Sequence, residues 1–161
     1  MTEPGLRLPR PATVPTDPLE VYVLILTAVP DTMRQPEALD DHTAAIRQLH
    51  GMVRLENEVA NGGFSQFFFN GGGVCVDDAI AGFAAAGLPD HSAVADAAAA
   101  AGAERIDDLR AALQTGTLEA YAAWADGSGL GDFDDRWYAL PETDDALGRF
   151  VADHADEIWE P

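Results

Sequence analysis

Residues 58–73 read EVANGGFSQFFFNGGG, and the glycines in this stretch decide the fold. One helical apolar pattern runs into it and a second leaves it. Asn61, Gly62 and Gly63 are residue types that tolerate left-handed backbone, glycine because it has no Cβ to clash, so the chain is predicted to turn a sharp helix-to-helix corner here. Phe64, Phe67 and Phe68 follow at i, i+3 and i+4, which points three rings at one surface and makes the second segment a short aromatic plug. Asn70 and the run Gly71, Gly72, Gly73 stop it. A glycine-rich loop can also cradle phosphate, but no Lys-Ser/Thr follows this one and no strand pattern precedes it. Glu58, Asn61, Gln66 and Asn70 are therefore expected to be structural, with Glu58, Gln66 and Asn70 meeting backbone groups orphaned at the corner.

Upstream, the helix that enters the corner starts near Thr43 and carries Ile46, Leu49, Val53 and Ala60 on its inner line, beside Ala45, Met52 and Val59. Glu56 falls on the same face. A buried carboxyl there would have a raised pKa unless an arginine or a backbone donor meets it, and the alternative is a place at the helix rim or a pairing with Arg54. Further back, Asp17 caps a nearly all-apolar helix over residues 19–28 with Pro18 at its first position, and Pro30 closes it. Residues 1–16, with Pro4, Pro9, Pro11 and Pro15, form a flexible or extended arm, which leaves 17–161 as one helical domain.

Downstream, Asp77 or Asp78 starts a helix that ends at Gly87, and residues 91–102 form an alanine-rich helix suited to close packing or to a subunit interface. Ile106, Leu109 and Leu113 mark another. Thr117 caps the next, with Leu118, Tyr121, Ala122 and Ala125 expected inward. Phe133, Trp137 and Leu140 anchor the segment after the 127–131 loop. A last helix is capped by Thr143 and runs on to Ile158, with Leu147, Phe150, Val151 and a hydrogen-bonded core histidine, His154, on its inner face. The fold class is thus all-α, a single compact domain of about seven to nine helices around a buried Asn-Gly-Gly-Phe corner.

The charge is extreme: 28 acidic residues against 9 basic, all arginine, give −19. The excess is −6 over residues 1–89 and −13 over residues 90–161. Such a field repels nucleic acid and anionic membrane surfaces and draws in basic proteins or cations. An acidic, lysine-free composition also arises from a GC-rich genome or from a need for solubility alone. Cys75 is the single cysteine, so no internal disulfide forms and a reducing cytoplasm is the simplest setting; the apolar run 19–29 is too short to cross a bilayer.

The string Glu58-Val59-x-Asn61-Gly62-Gly63-Phe64-x-Gln66-Phe67-Phe68-x-Asn70 resembles the signature of the DNA-mimic-protein-like family of bacterial domains. Weaker likeness continues through residues 77–87 and 133–138, so the resemblance covers roughly residues 40–160. It implies an acidic, all-helical, dimeric protein that occupies the DNA site of a transcription regulator.

No catalytic constellation is present: no HExxH, no clustered Cys and His, no nucleophile elbow, no Walker pattern. No catalytic residue, metal ligand or cofactor is expected, and no substrate is expected to be turned over. Enzymatic chemistry would need a pocket in which Glu56 met a second titrating group. What remains is a negative surface. Asp145, Asp153, Asp156, Glu157 and Glu160 would project from one stripe of the last helix, about 22 Å long at 1.5 Å per residue. Asp107, Asp108, Asp134 and Asp135 add further carboxylates. A basic groove could read such a stripe as a sparse phosphate row, since duplex DNA carries a charge about every 1.7 Å. The expected function is an acidic interaction domain, a homodimer that binds a basic, DNA-binding partner in place of nucleic acid; the other candidates are an immunity or antitoxin-like protein that masks a basic toxin, and an acidic helical protein with no mimic role.

Overall fold

The computed structural model describes residues 5–30, 32 and 35–161, with Pro36 described by its backbone alone. Among these residues there are nine α-helices and no strand longer than an isolated bridge, so the chain is an all-α single domain. Helix α1 (Pro18–Ala28) starts where expected: Asp17 accepts hydrogen bonds from the Leu19 and Glu20 amides at 2.8 and 3.1 Å. Although α1 is apolar nearly all round, only one stripe is covered, with Val21, Tyr22 and Ile25 buried and Leu19 and Val23 more than half exposed. A 3₁₀ turn, Pro36–Leu39, leads into α2 (Ala44–Phe69), the axis of the molecule.

Ala45, Ile46, Leu49, Met52, Val53, Leu55 and Val59 bury the inner face of α2, whereas Ala60 is exposed. Helix α3 (Val76–Ala85) lies against it more extensively than any other element, and Gly51 makes that possible. A Cβ at Gly51 would stand 2.8 Å from the Ala79 nitrogen and 3.0 Å from the Cys75 carbonyl, so only glycine lets the two backbones approach this closely. Helices α4 (Pro89–Glu104) and α7 (Gly131–Tyr138) close over α3 and α2, with Val94, Ala95, Ala98 and Trp137 facing inward. Trp137 meets the Phe64, Phe83 and His91 rings edge-on at centroid distances of 5.6, 5.4 and 5.1 Å, the centre of the aromatic core.

Two expectations for the second half, on the helix capped by Thr117 and on the last helix, are corrected, and the helix marked by Ile106, Leu109 and Leu113 forms where its apolar spacing places it. In α5 (Ile106–Thr115) the buried residues are Leu109 and Ala112, while Ile106 and Leu113 stay 40% and 46% exposed, because α5 packs on α6 rather than deep in the core. In α6 (Leu118–Gly127) Trp124 is the inward residue; Leu118 and Ala122 face out, and Tyr121 is half-buried against the Phe69 ring at 4.8 Å. The last helix is two: α8 (Asp144–Asp153) and α9 (Ala155–Ile158), broken at His154, whose φ of −107° and ψ of 18° leave the helical region. The His154 ring does bond within this region, with Nδ1 2.8 Å from the Phe150 carbonyl and the ring stacked on Phe150.

The proline-rich segment runs extended from residue 5 and is not free. Leu6 bonds to the Asp41 carbonyl and receives the Thr43 amide, while Leu8 donates to the Ile158 carbonyl at 2.8 Å and receives the Glu160 amide at 2.9 Å. Leu8 is 1% exposed, so its side chain belongs to the core. Residues 1–4 lie outside the described part of the arm.

Candidate functional site

The bend in α2 is where the family-like residues converge. Gly62 (φ −165°, ψ 22°) and Gly63 (φ 74°, ψ −178°) leave helical geometry inside an otherwise continuous Ala44–Phe69 helix. The left-handed φ therefore sits at Gly63 alone; Gly62 is extended in φ, where any residue fits, and a Cβ there would meet only the Gln66 side chain. Such a break orphans amides on the far side and carbonyls on the near side. Helix α7 supplies both partners. Asp134 accepts the Phe64 amide at 2.7 Å, and the Tyr138 hydroxyl donates to the Val59 carbonyl at 2.6 Å. Asp134 thus acts as the N-cap of the second half of α2 from another helix, and burial pushes its carboxyl above the usual aspartate range against the pull of that amide. It is not the free surface charge expected from its neighbourhood in sequence.

A second clamp spans the same bend. Glu58, before it, accepts from the Gln66 and Asn70 side-chain amides, each at 2.9 Å, both after it. The three residues therefore hold one another rather than backbone groups, and the backbone bond comes from Arg54, whose guanidinium is buried and donates to the Asn70 carbonyl at 2.7 Å. Phe64 and Phe67 are fully buried and Phe68 nearly so; Asn61, at the outside of the bend, is exposed. The Asp134 and Tyr138 roles had one sequence signal, their i, i+4 spacing on one face of α7, but nothing marked Val59 or Phe64 as the target. Tyr138→Phe keeps the ring and removes the bond, so it should lower stability by about 1 kcal/mol, a fall of about 2–4 °C in midpoint. Unchanged thermal unfolding of that variant would show that the hydroxyl does not hold the bend.

The remaining acidic candidates lie outside these clamps. Asp135, Asp145, Asp153, Asp156, Glu157 and Glu160 are all exposed. Because of the break at His154 they do not share one helical stripe: Asp145 and Asp153 belong to α8, Asp156 and Glu157 to α9, and Glu160 to the extended tail held by Leu8. Asp145 instead shares a surface hollow with Asp17 and Asp144, beside Arg149, a juxtaposition of α1 and α8 that sequence distance hid. Asp107 and Asp108, in the first turn of α5, are partly neutralised by Arg110 at 3.2 Å and Arg105 at 2.8 Å. Among the described residues the third ion pair is Arg47–Asp78, and none involves a carboxylate of residues 144–160.

The sequence model of one protein family, described as DMP19-like protein, matches residues 40–154, the span that contains α2, its bend, both clamps and α8. The chain belongs to the DMP19-like family. Comparison with curated proteins and with solved structures gives no match. The DMP19-like region begins just after Leu39 and stops at His154, so the extended segment at residues 5–8 and the Ile158–Glu160 tail that holds it lie outside the matched span.

Within this DMP19-like domain the one carboxyl with a strongly displaced titration is Glu56, pushed up to about 7 by burial, with the Asp144 and Glu142 charges adding to the rise. Among the described residues no arginine meets it. Thr143, expected as a helix cap, makes no capping bond and donates its hydroxyl to Glu56 instead. The groups around Glu56 are thus a hydroxyl and two more carboxylates. Among the described residues no group of three or more His, Cys, Asp or Glu is arranged to hold a metal ion, and no helix is long and apolar enough to cross a membrane.

Proposed function

We propose that this protein is an acidic interaction domain that presents its exposed carboxylates to a basic protein, a DNA-binding regulator, in the place that nucleic acid would take. The observation that carries this is the exposed group Asp145, Asp153, Asp156, Glu157 and Glu160, none of them in an ion pair among the described residues, on a chain of net charge −19. Carboxylates that outnumber the nearby cation, Arg149, project their field outward, which steers and holds a cationic groove. Membership of the DMP19-like family agrees with this reading. The break between α8 and α9 wraps the charges around a corner, so they would fit a concave basic surface better than a flat one. A homodimer formed through the outward apolar edge of α1, Leu19 and Val23, would present two such faces.

Affinity capture from the native lysate, with the neutralised variant Asp153→Asn, Asp156→Asn, Glu157→Gln and Glu160→Gln as control, tests the proposal. The wild type should retain a regulator or nucleoid protein that DNA displaces. Its affinity should fall with salt, and the fourfold variant should bind at least about tenfold more weakly with unchanged helicity. Undiminished binding by the variant would remove this face from the interaction. A basic toxin as the captured protein would replace DNA mimicry with an immunity role.

A further inference from the structure

Helices α5 and α6 expose an apolar feature that the charge does not explain. Val74, Ile106 and Leu113, at 62%, 40% and 46% exposure, line a groove of about 580 Å³ floored by Phe68 and Leu109. Leu113 also lines a neighbouring hollow with Leu118, which is 77% exposed. Four of the large apolar side chains left in solvent therefore line these two hollows, which meet at Leu113 of α5. Alanines of α4 form the other wall, small enough to let a backbone lie close. The polar groups at the groove are carboxylates: Asp77 and Asp96 line it, and no arginine lines either hollow.

We propose that this groove docks an amphipathic helix of the partner protein, with apolar residues at i, i+3, i+4 and i+7 seated on Ile106, Leu109 and Leu113 and with flanking arginines or lysines meeting Asp77 and Asp96. A linear apolar trough with polar edges is the form in which amphipathic helices are recognised. The sign of the edges selects the occupant. A second copy of this chain in a two-fold pairing would set Asp77 and Asp96 against the same carboxylates, and nucleic acid has neither the apolar face nor the charge. The proposal rests on the partner being a basic protein, as above, but it places an apolar contact on a surface distinct from the α8–α9 carboxylates. Binding would then have a salt-resistant part seated in this groove and a salt-sensitive part at the acidic face.

The test uses a synthetic helix-forming peptide of about sixteen residues, leucines at i, i+3, i+4 and i+7 and arginines elsewhere, titrated into the full chain and followed by amide chemical shifts. An isomer of the same composition with scrambled leucine spacing and a version with glutamate for arginine serve as controls. Shift changes should centre on α4, α5 and residues 72–76. Ile106→Gln with Leu113→Gln, both at exposed positions, should weaken binding at least about tenfold; Asp77→Asn with Asp96→Asn should weaken it several-fold and flatten its salt dependence. The fourfold variant neutralised at α8–α9 should bind the peptide within about threefold of wild type, which separates failure here from failure of the mimic face. Equal binding of the scrambled or the glutamate peptide would overturn the proposal, as would perturbation confined to α8–α9. So would a wild-type dimer in sedimentation that Ile106→Gln with Leu113→Gln converts to monomer, because the occupant would then be a second copy.

Discussion

Gly63→Ala is expected to lower stability by about 2–5 kcal/mol, a drop on the order of 10 °C in thermal midpoint for a domain of this size. Two costs combine. An L-residue held at φ 74° is strained by about 1–2 kcal/mol. The new Cβ would also overlap the Asp134 carboxylate, which must withdraw from the Phe64 amide. That amide lies beneath a fully buried side chain, and losing its partner costs about 1–3 kcal/mol. Gly62→Ala should cost less, about 1–2 kcal/mol, since its φ is accessible to alanine and the Gln66 side chain can turn aside, giving up its bond to Glu58. The reverse order of the two variants would refute the assignment of strain to Gly63. Combining Gly63→Ala with Asp134→Ala supplies a second check: the costs should be markedly less than additive if the Cβ acts through Asp134.

Glu56→Gln is expected to stabilise the protein above neutral pH and to change the shape of its pH dependence. With a folded pKa of about 7 against 4.5, Glu56 holds more proton in the folded state across that interval. Its contribution is complete below 4.5 and is lost as pH rises through 7, an effect of about 3 kcal/mol. His50 runs the other way. Burial and the Arg54 charge lower its pKa from 6.5 to about 4, so the unfolded chain takes up proton first and stability is lost as pH falls through that window. His42 and His91, also lowered by burial, add to the His50 trend. Between pH 4.5 and 6.5 the histidine gains should therefore offset the Glu56 loss or exceed it, and above 6.5 the remaining Glu56 loss should weaken the wild type. In Glu56→Gln the amide oxygen can still accept from Thr143, so the variant should gain about 1–3 kcal/mol at pH 8 and show a bare histidine slope below 6.5. Denaturant midpoints for both proteins across this range decide it: equal stability at pH 8 with parallel curves would mean that Glu56 is not held neutral by the fold.

The helices were legible because their signals are local. Asp17 with Pro18, the glycine after α3 and the i, i+3, i+4 phenylalanines each act within a turn or two of backbone. The family-like string located the bend, but sequence could not say which glycine carries the positive φ, because Gly62 and Gly63 are equally capable of it and the choice goes with the Phe64–Asp134 bond, whose partners are 70 residues apart. The break at His154 was hidden for a similar reason. The apolar period continues across it, while the stretch beyond it is tied by tertiary bonds: Thr43 bonds the Glu157 carbonyl and Leu8 bonds that of Ile158. Periodicity likewise could not tell that α5 has too little to pack on for Ile106 and Leu113 to be covered. The acidic face was legible as composition and not as shape, since charge counts carry no information about which carboxylates α7 withdraws into the bend.

The Leu8 bridge bears on the order in which the chain can fold as it is synthesised. Leu8 and its backbone partners, Ile158 and Glu160, are separated by most of the domain in sequence, so Leu8 is made well before either of them. The loop that this contact closes spans residues 8–158, and a loop of that length is slow to close until the intervening helices have shortened it. The α2–α3 pair, by contrast, joins neighbouring segments and can form while translation continues. Docking of the 5–8 segment then follows formation of the helices, and until it occurs the apolar slot that Leu8 fills stands open.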